Sequence, residues 1–446
     1  MVDETATLAI RCSANDIAGG RRDNEANEEA HMKIQRRTVL KSMLAGGVSL
    51  AALKMPAVRA QSAAMKIGLL TVTSGPLSQG GYQMNQGIEI FLKEKNNTLA
   101  GRKIELITAD TGGNPAGAKT KLSELVERDH VDMILGPFAA FELLAITDYI
   151  RQNQIPLISI AAAEDVTQRK ANPWVIRTAC SSAQTPHAMA DYCAKEMKLK
   201  TMSTIANDFA FGHEECGGFQ RVFEDEGGKV VQKLWPPLST PDYVPYVSQF
   251  SDIDGVFSGI GGGNPIRFLQ AYASLGLKDK IPMTGGWSFM DEPLLKSLGD
   301  EAIGVYSAHF YSPSIDTPSN HRFVEEMAKE YNELPGGGAC GMYVAGQVIE
   351  AGLEKTGGKI DDKNAFMQAM RNVSLTDTPR GNFHFDQYGN SVGPVFIRKC
   401  ERKDGKLVNT VIKTYPEVTQ FWTYDPKEFL AQPVYTRDYP PAKNLR

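Results

Sequence analysis

Residues able to do chemistry occur along the chain, but their spacings complete no catalytic or metal-binding motif. Ser258 stands one place too late in Gly-Val-Phe-Ser-Gly to be the nucleophile of a G-x-S-x-G turn. The glycine run 259–264 ends in asparagine, where a dinucleotide-binding motif needs glycine. His213 and Cys216 lie one helical turn apart, but no third metal ligand stands nearby in the sequence. We therefore expect a protein that is not an enzyme and holds neither a cofactor nor a metal.

The segment 35–60 predicts an export signal. A short uncharged stretch, 42–53, follows a basic front and ends in small residues, and it is too short to span a bilayer. Arg36-Arg37 with Lys41 matches the twin-arginine type of signal, although an ordinary signal could also contain two arginines. We place the signal at 32–60, with cleavage after Ala60 and export to the periplasm. We interpret residues 1–31 as an upstream extension of a protein that begins at Met32.

The composition is that of a globular protein. The 446 residues are 42% hydrophobic, and the formal net charge is −4 at pH 7. There is no basic patch for nucleic acid, no later segment is apolar enough to span a membrane, and the length suggests two domains. The cysteines after Ala60 are odd in number and match no zinc spacing, so we expect no essential disulfide.

Strands and helices are expected to alternate along most of the chain. Short apolar runs at 65–72, 103–110, 131–136 and 155–160 read as strands, and the stretches 87–95, 114–128 and 141–151 between them have helical spacing. The pattern restarts near 175 and continues to 284. Because these strands are too apolar to face water, the sequence predicts two doubly wound α/β units with parallel sheets. The aromatic and proline-rich tail, 415–446, has no helical or strand period, and we expect an ordered wrap over the surface.

A family resemblance rests on fragments that occur in one order: IGLLTVTSGPLSQGG, GRKIELITAD, MILGPFAAFELLA, IPLISIAAAEDVT, NDFAFGHE, IPMTGGWSF and GDEAIGVYS. Over about residues 65–415 the chain resembles the branched-chain amino-acid type of periplasmic substrate-binding protein, which serves an ATP-driven importer. The resemblance implies a clamshell with lobe 1 at 64–180 and 310–383, lobe 2 at 181–309 and 384–414, and crossovers near 178–183, 307–312 and 381–394. It also implies two partners, a small-molecule ligand and the membrane permease of an ABC transporter.

The family's amino-acid binders hold the ligand's carboxylate and ammonium with side chains from loops at strand ends. In the first lobe, a tyrosine position falls at Gly80, with Tyr82 two residues later. A serine position falls at Ala140, flanked by Phe138 and Phe141. The other positions are Ala162 and Ala163 in place of Ala-Thr, Phe209 or Phe211 as the covering aromatic, Gly261 or Gly262 in place of a tyrosine, and Trp287 of Gly-Gly-Trp in place of an acid.

These substitutions favour an aromatic or other carboxylate over an α-amino acid. The hydroxyls and the acid of the family pattern are missing, and an ammonium buried without an acceptor is costly. We expect rings to stack on Phe138, Phe209, Phe211 or Trp287, and a carboxylate to take backbone N–H groups near Ala162, Ala163 or the Ser74–Gly75 loop. Alternatively, these aromatics belong to the core of the lobes. A receptor that senses an amide, a urea or an amino acid is the alternative function, and an exported enzyme is a third.

Overall fold

The computed structural model describes residues 63–441 and 443–445. These residues belong to one unit, Gln61–Arg446. The upstream extension (1–31) and the export signal (32–60) lie outside the described residues and stay predictions. Within the described part, no helix combines the length and the apolar character that crossing a membrane requires.

The first sheet has the strand order β2-β3-β1-β4-β5-β6. Its strands are β1 (Met65–Thr71), β2 (Thr98–Leu99), β3 (Arg102–Asp110), β4 (Met133–Leu135), β5 (Leu157–Ser159) and β6 (Val175–Arg177). Every neighbouring pair is parallel except β2 with β3. Its helices are α1 (Ser78–Glu94), α2 (Pro115–Ser123), which continues as a π-helical turn at Glu124–Arg128, and α3 (Ala140–Gln152). The part of the chain built on this sheet is called the first lobe below.

The second sheet has the path β12-β13-β14-β11-β10-β9-β7-β8, with β15 paired to β14. Its parallel strands are β7 (Thr201–Ala206), β8 (Lys229–Leu234), β9 (Gly255–Gly259), β10 (Met283–Gly285) and β11 (Tyr306–His309). The antiparallel strands are β12 (Ser374–Leu375), β13 (Phe383–Phe385), β14 (Ser391–Lys403) and β15 (Lys406–Val418). Its helices are α4 (Gln184–Lys195), α5 (Ala210–Asp225), α6 (Val244–Val247) and α7 (Asn264–Ser274). This part is called the second lobe.

The chain passes between the two sheets more than once. It leaves β6 for the second lobe, and after β11 it returns to pack α8 (Pro318–Tyr331), α9 (Gly337–Thr356) and α10 (Lys363–Arg371) on the first lobe's side. Tyr343 of α9 packs on Phe91 of α1 and donates a hydrogen bond of 2.7 Å to Glu94. The predicted α/β class is confirmed, and both sheets are mainly parallel with antiparallel strands added: β2 in the first, and β12 to β15 in the second.

Two elements differ from the sequence expectation. Helix α1 begins at Ser78 rather than near residue 87, because Gly80 and Gly81 hide its first turn from a periodicity argument. A Cβ at Gly81 would lie 1.8 Å from the carbonyl oxygen of Val72, so this helix can approach β1 closely only through glycine. The tail also has regular structure: β15 runs to Val418, and α11 spans Pro426–Ala431. Asp425 caps α11 ahead of a proline at the first turn, a start signal that the aromatic composition obscured.

The cysteines of the described chain are buried and unpaired, namely Cys180, Cys193, Cys216, Cys340 and Cys400. Burial raises the pKa of the Cys193 and Cys216 thiols to about 12. The thiols are therefore neutral, and they serve as small apolar groups in the cores of the lobes.

Candidate functional site

An apolar cavity lies where strand ends of the two sheets face each other. Its lining residues are Leu77, Phe138, Ala139, Ala140, Ala162, Phe209, Phe211, Leu238, Gly261, Gly262, Trp287 and Ser288. Each follows the carboxyl end of a parallel strand, which is where open α/β sheets hold their ligands.

Most of the residues expected from the sequence come together in this lining, namely Phe138, Ala140, Ala162, Phe209, Phe211, Gly261, Gly262 and Trp287. Helices α3, α5 and α7 begin beside them, at Ala140, Ala210 and Asn264. Free N–H groups and the positive ends of helix dipoles favour a negative charge at such places. The walls are thus apolar, and their electrostatics suit an anion.

Aromatic rings form a continuous series along one side of the cavity. Phe209 stacks on Phe211 with ring centroids 6.0 Å apart, and Phe211 meets Trp287 edge-on at 6.1 Å. The Trp287 ring is held from behind by His309 at 5.9 Å and Phe310 at 5.5 Å. Because Trp287 is only 5% exposed and has ring contacts on several sides, its orientation is fixed before any ligand arrives.

The Phe138 ring lies against Gly80, the position where the resemblance leads one to expect a tyrosine. A Cβ at Gly80 would lie 2.1 Å from the Phe138 ring, so the glycine is what lets this ring reach the cavity. Tyr82, the expected substitute, is 47% exposed, and its hydroxyl donates to the carbonyl oxygen of Thr73 at 3.0 Å. Tyr82 therefore lies outside the lining, because its helical position turns the ring toward solvent, and a role for it in binding stays a prediction.

Four further expected residues lie outside the lining. Ser74 and Gly75 are exposed, and the chain reaches the cavity only at Leu77, where the short helix Gly75–Leu77 turns inward. Ala163 is buried, and its carbonyl oxygen accepts a hydrogen bond from Arg177. Phe141 packs on the Phe209 ring at 5.6 Å from outside the lining. These residues support the walls rather than form them.

Two polar groups in the lining have no hydrogen-bond partner in the protein. They are Nε1 of Trp287 and Oγ of Ser288, and both atoms are buried. Ser288 lies across from Gly261, where an added Cβ would be 2.9 Å from Oγ. Ser288 supplies a hydroxyl from a position that the family pattern does not include. Leu77, Ala139 and Leu238 were not expected either, since only the paths of the loops bring them to the site.

A carboxyl group lies close behind the glycines that replace the family's acid. A Cβ at Gly286 would be 2.1 Å from Oε1 of Glu215, and neither oxygen of Glu215 has a hydrogen-bond partner. Burial, followed by the nearby Glu214, raises the pKa of Glu215 well above its ordinary value. Glu215 is therefore neutral and lies outside the lining, and no charged side chain stands among the described residues that line the cavity.

The two lobes touch at the rim of the cavity. The N–H of Gly263 donates a hydrogen bond of 3.0 Å to the carbonyl oxygen of Pro76. The neighbouring Gly262 has φ +64°, and a Cβ there would lie 2.3 Å from the same oxygen. A residue with a side chain at 262 would therefore be strained in its own backbone and would also push the lobes apart.

A polar network next to Trp287 ties the second lobe to α9. Nε2 of His309 donates to Oδ1 of Asp291 at 3.2 Å, and Nδ1 accepts the N–H of Tyr311 at 2.9 Å. Burial lowers the pKa of His309 well below its ordinary value, so the ring is neutral. Asp291 also accepts the N–H of Gly337 at 3.0 Å. Although Asp291, Glu292 and His309 lie close enough together to share a metal ion, their donor atoms take part in this network and in the Glu292–Arg398 ion pair of 2.7 Å.

Comparison with known proteins agrees with this architecture. A family model described as periplasmic binding protein matches residues 64–406. Leu/Ile/Val-binding protein homolog 6 of Brucella melitensis is 29% identical over 380 residues, which are 82% of this chain and 95% of the relative.

Solved structures extend the likeness to the fold. An ABC transporter substrate-binding protein from Sphaerobacter thermophilus is 32% identical, with a TM-score of 0.75 over 80% of this chain and 99% of that one. A solute-binding protein of an ABC transporter from Rhodopseudomonas palustris, in complex with 3,4-dihydroxybenzoic acid, is 31% identical, with a TM-score of 0.76 over 80% and 98% of the two chains.

Proposed function

The chain belongs to the periplasmic binding protein family as a substrate-binding protein of an ABC transporter, and from that premise we propose that it captures an aromatic carboxylate. The ligand lies in the apolar cavity between the lobes, which close on it and deliver it to a membrane permease. The protein acts in the periplasm as a carrier and catalyses no reaction.

The observation that carries this proposal is the combination of aromatic walls with two unpaired donors. The Nε1–H of Trp287 and the hydroxyl of Ser288 have no partner in the protein. A buried donor left unpaired costs about 1–3 kcal/mol, so a ligand that supplies an acceptor oxygen recovers that cost. An aromatic acid supplies the oxygen and also a ring, and stacking on Phe209, Phe211 or Phe138 adds about 0.5–1.5 kcal/mol per pair.

A zwitterionic amino acid fits the cavity less well. Its ammonium needs an anionic or carbonyl acceptor, and the carboxyl of Glu215, whose pKa is raised by burial, is neutral and lies behind Gly286. Burying the ammonium without an acceptor costs several kcal/mol. The Rhodopseudomonas relative with bound 3,4-dihydroxybenzoic acid supports an aromatic acid, whereas the name of the Brucella relative favours leucine, isoleucine or valine.

A thermal-shift screen tests the proposal. Benzoate, 4-hydroxybenzoate, an aliphatic acid, leucine and an amide would each be added to the ligand-free protein. A ligand present at about 100 times its Kd adds about 2.7 kcal/mol of stability. We expect the largest rise in melting temperature with one of the aromatic acids. A rise with leucine and none with either aromatic acid would reject the aromatic ligand and leave the family assignment standing.

A further inference from the structure

Three carboxyl groups are buried together beside the connection between β6 and α4. Glu164 follows β5 in the first lobe, whereas Glu214 and Glu215 lie on α5 of the second. All three are buried, with exposures of 0%, 3% and 0%. Oε2 of Glu164 and both oxygens of Glu215 have no hydrogen-bond partner. Neither the family pattern nor the proposed cavity assigns this group a role.

Hydrogen bonds join the group across the two lobes and to the connection between them. The N–H of Glu164 donates to Oε1 of Glu214 at 3.4 Å. The hydroxyl of Ser182, in the connection, donates to Oε2 of Glu214 at 2.5 Å. Ser181 and the N–H of Ala183, in the same connection, donate to Oε1 of Glu164 at 3.3 and 3.2 Å. If the lobes separate, Glu214 must leave Glu164, and water reaches both carboxyls.

The nearby arginines lower the pKa of these acids through their charge, but burial outweighs them, and their hydrogen bonds go elsewhere. Arg177, on β6, spends its hydrogen bonds on the carbonyl oxygens of Ala161 and Ala163, on Thr167 and on Asn390. Arg169 donates to the tail's carbonyl oxygens and to Gln168 and Asp165. Tyr435 of the tail also interacts with Glu164. Burial is the largest effect on both carboxyls and outweighs the arginine charges and the hydrogen bonds that they accept, so the buried arrangement favours their protonated form.

We infer that Glu164 and Glu214 form a proton-dependent latch: closure of the lobes takes up a proton from solvent at this pair, and opening releases it. The inference rests on the proposed function, since ligand capture is what drives closure. It adds that ligand affinity depends on pH through groups that do not touch the ligand.

The direction of the pH dependence follows from the pKa values of Glu164 and Glu214 in the closed and in the open lobes. Burial raises the pKa of Glu164 to about 7, and burial with the charge of Glu164 raises the pKa of Glu214 well above its ordinary value. The latch requires that opening of the lobes exposes both groups to water, where a glutamate titrates near about 4.3. The latch therefore has its full strength below about pH 4.3 and is lost as the pH rises through about 7. Each linked proton weakens affinity by up to about tenfold per pH unit in that window.

Calorimetry with 4-hydroxybenzoate tests the latch. Titrations at about pH 6.5 in two buffers of different ionisation enthalpy count the protons taken up on binding. We expect uptake of up to about one proton by the unmodified protein and a loss of affinity of at least about tenfold between pH 5.5 and 7.5. The double variant Glu164→Gln with Glu214→Gln keeps the shape and cannot ionise at either position, so both effects should vanish. Glu214→Gln alone should only reduce them, because burial by itself raises the pKa of Glu164. Glu94→Gln is the control, because the Glu94 pKa is also raised by burial, yet its partner Tyr343 lies in the same lobe.

Equal proton uptake and equal pH dependence in the unmodified protein and in the double variant would overturn the inference. If the double variant does not fold, Glu164→Gln should still lower the proton uptake, and an uptake equal to that of the unmodified protein would overturn the inference. If 4-hydroxybenzoate does not bind at all, the ligand proposal fails on its own. The latch is then judged by scattering from ligand-free protein: the radius of gyration should fall as the pH is lowered from about 7.5 to 5.5, and a radius independent of pH would contradict the latch.

Discussion

Replacing Trp287 separates two proposed contributions to ligand binding: the hydrogen bond from its Nε1–H, and the stacking and burial of its ring. Trp287→Phe keeps an aromatic ring next to Phe211 and Phe310 but removes the Nε1–H, which has no partner in the protein. A hydrogen bond to a charged oxygen is worth about 1.5–3 kcal/mol, so we expect affinity for 4-hydroxybenzoate to fall by roughly 10- to 150-fold. Trp287→Ala also removes stacking and burial, on the order of 1–3 kcal/mol.

Calorimetric titration of each variant measures these losses. Trp422→Phe is the matched control, since Trp422 is half-buried in the tail segment and packs on Tyr415 at 5.6 Å, outside the cavity lining. Its affinity should match that of the unmodified protein. The melting temperature of each ligand-free variant shows whether a loss of affinity reflects binding or folding.

Unchanged affinity in both Trp287 variants, with a lowered melting temperature, would refute the reasoning. Trp287 would then be a core residue of the second lobe, and the ligand would lie elsewhere. Trp287→Glu is a third variant. Its carboxylate should repel the aromatic acid and so abolish binding of that ligand. The same carboxylate offers an acceptor to the ammonium of leucine.

The remaining predictions concern closure, export and motion. Gly262→Ala should weaken binding of 4-hydroxybenzoate by about 5- to 150-fold, since its Cβ would lie 2.3 Å from the carbonyl oxygen of Pro76 and such overpacking between the lobes costs about 1–3 kcal/mol. Gly276→Ala is the control: at φ +66° it carries the same backbone strain with open space around it, and it should bind normally. Changing Arg36 and Arg37 to lysine should leave the precursor in the cytoplasm, and an unchanged periplasmic yield would reject the twin-arginine prediction. X-ray scattering should show a smaller radius of gyration with 4-hydroxybenzoate bound, and identical profiles at saturation would count against lobe closure.

Local patterns predicted the elements because the relevant signals lie within a few residues. Apolar runs such as those of β1 and β4 gave the parallel strands, and Asn114-Pro115 gave the start of α2, where the Asn114 side chain accepts the Gly117 N–H. The predicted helix α1 was too short at its start. Gly80 and Gly81 are needed there because the Phe138 ring and Val72 approach them closely. No periodicity argument contains that information.

Part of the cavity lining was also predictable from signals that lie within a few residues of each other in the sequence. Residues directly after parallel strands, such as Ala162 and Trp287, must reach the same edge of a sheet, so topology alone places them. Leu238 lies farther along a loop, whose position depends on a hydrogen bond of 2.9 Å from Asn264 to its carbonyl oxygen. Glu215 lies on helix α5, and its carboxyl lies against Gly259 at the end of β9 and Gly286 just after β10. Such a placement depends on contacts between elements that are distant in the sequence.

Side-by-side titration of the unmodified protein with 4-hydroxybenzoate and with leucine tests the central claim most directly. The account predicts binding of the aromatic acid with a Kd on the order of micromolar or tighter, equivalent to about −8 kcal/mol, and weak or absent binding of leucine. Tight binding of leucine, with no heat from 4-hydroxybenzoate, would contradict it.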